Sequence, residues 1–154
     1  MNKSSRLDSI EGSLTSLMRI AKRPGYWEEL QKRADILIDR PAAAILIILA
    51  HDPANFQTVV SKLGIEAPSV SRKVHELEEK GLIKRRPTED KRIHELELSQ
   101  PGLDIAARLM QAKRSLYREM LSDWATDDIN QLSRLLNKLS EDMKNKFKER
   151  GSKT

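Results

Sequence analysis

The residues with the clearest chemistry in this sequence are cations and hydroxyls gathered between positions 68 and 92. Pro68, Ser69, Ser71, Arg72, Lys73 and His75 fall in one short helical pattern. Val70, Val74 and Leu77 share its apolar face, and Ser69, Arg72 and Glu76 lie on the side turned away, with His75 towards its edge. An arginine so placed can fork to a guanine or clamp a phosphate, and at i,i+4 it can equally pair with Glu76. Ser69 and Ser71 stand near the helix start, where hydroxyls and backbone N–H groups meet phosphates or simply face water. A second cationic group follows, with Lys84-Arg85-Arg86 on one side of a turn and Lys91-Arg92 on the other. This is chemistry for holding a polyanion, not for breaking bonds. His51, His75 and His94 are scattered over different elements, and no His/Asp/Glu cluster has metal-ligand spacing. No Ser-His-Asp set, P-loop or glycine-rich dinucleotide pattern is present, so neither an enzyme nor a cofactor is expected.

The elements that position these residues can be read on either side. Upstream, Phe56, Val59, Val60 and Leu63 have helical spacing, and Gly64 takes the turn. Pro68 falls in the first turn of the next helix, where its missing N–H costs nothing. Glu66 favours that helix start through its dipole. Downstream, Gly81 stands where a helix end calls for φ > 0. A hairpin follows: LIKRR, then PTEDK, then RIHELEL, whose last arm alternates Ile93, Glu95 and Glu97 with His94, Leu96 and Leu98. Helix, glycine turn, helix and hairpin in this order make a winged helix-turn-helix. Its second helix suits a major groove, and a cationic hairpin tip can reach backbone or minor groove.

Over SKLGIEAPSVSRKVHELEEKGLIKRRPTEDKRIHELELSQPG the sequence resembles the MarR family of bacterial transcriptional regulators. The matching features are Leu63-Gly64, Ser71-Arg72, Leu77-Glu78, Gly81-Leu82, Arg85-Arg86, Asp90-Lys91-Arg92, Leu98-Ser99 and Gly102. Ser99 stands where the family more often has Thr, and Pro24-Gly25 interrupts a region that is usually one long helix. The resemblance implies a dimeric DNA-binding regulator. It also implies a wing in which Asp90 fixes the tip so that Arg92 or Arg86 is aimed at a minor groove. Its usual effectors are small aromatic or phenolic anions held between the dimerisation helices and the winged helix. In this chain the corresponding zone is bounded by Met18, Arg19, Tyr26, Trp27 and Met110, with Arg19 or Lys22 to meet a carboxylate.

Composition agrees with that reading. The formal charge of +5 favours a polyanionic partner. At 154 residues and 38% hydrophobic, the chain can bury one modest core and gains from a second copy. The absence of cysteine excludes disulfides, thiolate metal sites and cysteine-based redox sensing. No signal peptide and no membrane-spanning apolar run is evident, so a cytoplasmic location and no membrane partner are expected.

The ends of the chain carry two further seams. Leu7, Ile10, Leu14, Leu17 and Ala21 step by three and four, and so do Ile129, Leu132, Leu136, Leu139 and Met143. Between the first seam and the reader, Pro24-Gly25 breaks the helix and Asp39 is set to cap a buried helix from Ala42 to His51. Residues 52–55 read as a loop. After the hairpin, Ser99 caps a long helix with apolar Leu103, Ala106, Met110, Tyr117, Met120 and Trp124, and Thr126 caps a last one. The expected fold is mainly α with a small β-hairpin wing: N-terminal dimerisation helices over 1–38, a winged helix-turn-helix over 39–99 and C-terminal dimerisation helices over 100–150. Leu7, Ile10, Leu14, Leu132, Leu136, Leu139 and Met143 would form a homodimer interface. The expected DNA contacts are Pro68, Ser69, Ser71, Arg72, Lys73, His75, Arg85, Arg86, Lys91 and Arg92, on a pseudo-palindromic duplex operator. The alternative is a winged-helix module binding an acidic protein, which would have no need of cations flanking one hairpin tip.

Overall fold

The computed structural model describes residues 3–89 and 94–148. The order is α1 (Lys3–Ala21), α2 (Pro24–Ala34), α3 (Arg40–His51), β1 (Ala54–Asn55), α4 (Phe56–Leu63), α5 (Ala67–Glu79), β2 (Ile83–Pro87), β3 (His94–Leu98), α6 (Gln100–Met120) and α7 (Thr126–Lys148). Prolines open α2, α3 and α5 in their first turns, and left-handed residues close α2, α4 and α5. Two compact units divide it, Met1–Ser115 and Leu116–Thr154, with the boundary inside α6.

In the first unit α3 is the centre, because it is apolar on nearly every side. Ala42, Ala43, Ile45, Leu46 and Leu49 are buried. Around it lie Val59 of α4, Val70, Val74 and Leu77 of α5, and Ile83, Leu96 and Leu98 of the sheet. Asp39 caps α3 as its sequence position predicts, its Oδ1 accepting from the Ala42 amide at 2.8 Å. The break at Pro24 is also present, and Arg40 fills it. Its guanidinium donates to the carbonyls of Lys22, at 2.9 Å, and Arg23, and lies 5.9 Å over the Trp27 ring.

Three expectations are corrected. Ala54 and Asn55 are not a loop but a short strand, paired antiparallel with Leu96 and Glu95, so the hairpin becomes a three-stranded sheet of order β1-β3-β2. The pairing spans some forty residues and leaves no local trace. Trp124 lies beyond the end of α6 at Met120, and that helix buries Gly102, Ala106, Leu109 and Ala112 while Leu103 is exposed. Thr126 is the first helical residue of α7 rather than its cap, since the Ile129 amide donates to the Ala125 carbonyl at 3.2 Å. Asp127 and Asp128 do lie in the first turn, against the positive end of the helix.

The reader helix is joined to α6 by a tight set of bonds. Gly81 takes φ +67, and behind it the Leu82 amide reaches back to the Leu77 carbonyl at 2.9 Å, closing α5 in a Schellman turn. The Leu82 carbonyl then accepts from the Ser99 amide at 3.1 Å. The Ser99 hydroxyl donates to the Gly81 carbonyl at 2.6 Å and accepts from the Gly102 amide at 3.3 Å. Ser99 is thus the cap its position suggests, and it also clamps the far end of α5.

Candidate nucleic-acid interface

The face of α5 opposite its buried Val70, Val74 and Leu77 is open to solvent. Pro68, Ser71, Arg72 and His75 are exposed and Ser69 is half-buried. Among the described residues the Arg72 guanidinium reaches only the Ser69 hydroxyl, at 3.5 Å. Its i,i+4 neighbour Glu76 is already taken, by Lys73 at 2.5 Å and Lys80 at 2.6 Å. Of the two readings the spacing allows, the intrahelical Arg72–Glu76 pair is therefore not formed, and the guanidinium is left for another anion. His75 faces Glu79 at 3.4 Å on the exposed surface.

Lys73 is placed differently from its neighbours. Its ammonium lies 2.5 Å from both Asp39 and Glu76, so it ties the reader helix to the cap of α3. The hydrogen bond to Asp39 and then that to Glu76 raise its pKa. The same network lowers Glu76, through Lys73 first and Lys80 second, from its ordinary 4.5 to about 2. A carboxylate depressed on folding stabilises the fold above its unfolded pKa, and that contribution is lost as pH falls through the folded value. Glu76→Gln is therefore expected to flatten the fall of melting temperature between about pH 4.5 and about pH 2. Identical acid limbs for variant and parent would show that the network contributes nothing.

The hairpin brings Arg85 and Arg86 to the surface, each with a carboxylate. Arg85 forks to Glu78 of α5 at 2.6 and 3.1 Å, and Arg86 meets Glu95 at 2.6 Å. Glu78 and Glu95 respectively raise the pKa of these guanidinia. Asp90, Lys91 and Arg92, expected at the wing tip, lie outside the described residues. The carboxylate partners Glu78, Glu95 and Glu97 are what the sequence reading missed. The signal for Glu95 and Glu97 was available in the two-residue spacing of Lys84 and Arg86 on one arm and Glu95 and Glu97 on the other.

The residues expected around an effector differ in exposure. Met18 and Arg19 are exposed near the end of α1. Tyr26, Trp27 and Met110 are half-buried, and the Trp27 indole donates to the Ile38 carbonyl at 3.2 Å. None of the five lines the cavity of about 520 Å³ formed by Arg33, Ala34, Asp35, Arg108, Gln111, Ala112 and Ser115. In that cavity Arg108 closes the end of α2, donating to the Ala34 carbonyl at 2.8 Å and to Asp35, which holds a left-handed φ of 50. Of the expected dimer residues, Leu7, Ile10, Leu136 and Met143 are exposed, and Leu14, Leu132 and Leu139 are half-buried. Among the described residues no three His, Cys, Asp or Glu side chains form a metal site, and no helix is long and apolar enough to cross a membrane.

Comparison with known proteins agrees with this architecture. No curated protein sequence matches the chain. A MarR family protein from Bacillus stearothermophilus superposes with a TM-score of 0.79 at 19% identity, covering 93% of this chain and 98% of its own. The transcriptional regulator BldR from Sulfolobus solfataricus gives 0.68 at 24% identity over 92% and 99%. Wild-type MarR from E. coli in its apo form gives 0.65 at 20% over 83% and 95%. At these identities the likeness establishes the fold. In the sequence, residues 38–93, from just before α3 to just before β3, match the MarR family model. Over that segment the chain is similar to the MarR family, and its mainly helical body with a small antiparallel wing is the fold of MarR family proteins.

Proposed function

We propose that the protein is a homodimeric, sequence-specific DNA-binding regulator in the cytoplasm that represses by occupying a pseudo-palindromic operator. It is a binding protein and not an enzyme. The observation that carries this reading is the solvent face of α5, where Arg72 stands exposed, with no carboxylate partner among the described residues, beside Pro68, Ser69, Ser71 and His75. A helix N-terminus with hydroxyls and an exposed guanidinium suits base edges and phosphates in a major groove. Arg85 and Arg86 add exposed cations from β2, and Lys91 and Arg92 follow in the sequence before β3. Lys73 serves here as the tie that sets the angle of α5, with Asp39 as its anchor.

Two helices support the dimer. Neither α1, of 19 residues, nor α7, of 23, buries a single residue among those described. Isolated helices of such length are marginal in water, and most helical stability comes from packing an apolar stripe. A second copy supplies the missing cover and sets two α5 helices roughly 34–36 Å apart, one turn of duplex.

Selection of bound duplexes from a random pool, followed by competition with scrambled sequence, tests the whole reading. Arg72→Ala is expected to cost about 1–3 kcal/mol on the selected site and to relax its sequence preference. Equal affinity of the parent for selected and scrambled duplexes would refute sequence-specific binding. The proposed effector is an aromatic acid in the zone of Met18, Arg19, Tyr26, Trp27 and Met110. A salicylate-like acid should weaken operator binding by a coupling of about 1–3 kcal/mol, seen alongside Trp27 fluorescence in a Trp124→Phe background. Constant operator affinity across a broad panel of such acids would remove this part of the proposal.

A further inference from the structure

The wing stem carries its own counter-charges. In the antiparallel register Lys84 stands opposite Glu97 and Arg86 opposite Glu95, so the four side chains share one face of the hairpin. Lys84 Nζ lies 3.1 Å from Glu97, and Arg86 sends Nη2 to Glu95 at 2.6 Å and Nη1 towards Glu97 at 3.7 Å. On the other face Arg85 is forked by Glu78. Three cations thus meet three carboxylates. The carboxylates are the inner partners, at 22–30% exposure against 51–62% for the cations. A phosphate that approaches the stem meets a face of no net charge and competes with a carboxylate already seated on each cation.

That arrangement matters because binding to random duplex is almost wholly phosphate electrostatics. A stem that is internally neutral adds little to it. In a specific complex the reader helix holds the hairpin against the backbone, and the high local concentration of phosphate drives the exchange. We propose that Glu95 and Glu97 are specificity-determining residues of this reader. They hold Arg86 and Lys84 in cross-strand pairs, withhold them from random DNA, and yield them only when α5 is seated in its groove. This rests on the DNA-binding reading above.

The test measures the full-length protein on the selected operator and on random-sequence duplex at several salt concentrations. Glu95→Gln and Glu97→Gln together are expected to raise affinity for random duplex about tenfold and to steepen its salt dependence by about one to two released counterions. Operator affinity should change less, so the ratio of specific to random binding falls. Lys84→Gln should hardly affect random binding in the parent but should abolish the gain of Glu97→Gln, which is the coupling expected of a withheld cation. Glu28→Gln makes the same charge change on exposed α2 and should leave the ratio unaltered. Cross-strand surface pairs contribute little to stability, and the single variants serve if the double variant fails to fold. Random-duplex affinity that is unchanged or lower in the glutamine variants overturns the proposal, as does an equal gain from Glu28→Gln. A parent protein that binds neither duplex overturns the DNA-binding reading itself and takes this inference with it.

Discussion

Gly102→Ala is expected to lower stability by about 2 kcal/mol or more, although alanine is the better helix former by about 1 kcal/mol. A Cβ built on Gly102 lies 2.0 Å from the Leu82 carbonyl oxygen and 3.0 Å from its carbon. Both are backbone atoms, so no side chain can move aside. The Leu82 carbonyl also accepts the Ser99 amide, and Ser99 holds both Gly81 and the start of α6. An added methyl therefore pushes apart the bonds that fix the end of α5, and operator binding should weaken together with stability. Gly12, in α1, is the control. Nothing lies within 4 Å of a Cβ there, so Gly12→Ala should be neutral or stabilising by up to about 1 kcal/mol. Denaturant midpoints of the two variants decide the matter, and a Gly102→Ala protein as stable as its parent would show that the close approach is relieved at no cost.

The second large effect is expected at the seams. Leu136→Glu, alone or with charged replacements at Leu132 and Leu139, should convert the dimer to a monomer in sedimentation. Operator affinity should then fall by about 100-fold or more, because the second half-site is no longer held at high effective concentration. In the isolated chain Leu135, Leu136, Met143 and Phe147 of α7 are 44–57% exposed, and Leu7, Ile10 and Leu17 of α1 are 51–60% exposed. A carboxylate placed in a seam that a partner covers is buried without a counter-charge. Leu136 is the cleanest position, since its exposure means that the change disturbs little within its own unit. A parent protein that sediments as a monomer, or a Leu136→Glu variant that stays dimeric, would remove α7 from the interface.

What the amino-acid sequence determined by itself is what acts within a turn or two of chain. The break at Pro24, the Asp39 cap, the φ > 0 turns at Gly64 and Gly81 and the apolar stripe of α5 all follow from backbone sterics, orphan N–H groups and helical period. Together they were enough for a winged helix-turn-helix and for the exposed Arg72. The tertiary structure decided which charges are spoken for. Lys73 looks like one more cation of the reader face, yet it is bound to Asp39, 34 residues away. Arg108 looks like a solvated helix residue, yet it closes α2 from 74 residues away. Strand β1 exists only because β3 is beside it, and Gly102 matters only because the Leu82 carbonyl arrives where its side chain would be. Helical and capping rules couple residues three or four apart, whereas ion pairs, sheet edges and close backbone approaches depend on segments that only the folded core brings together.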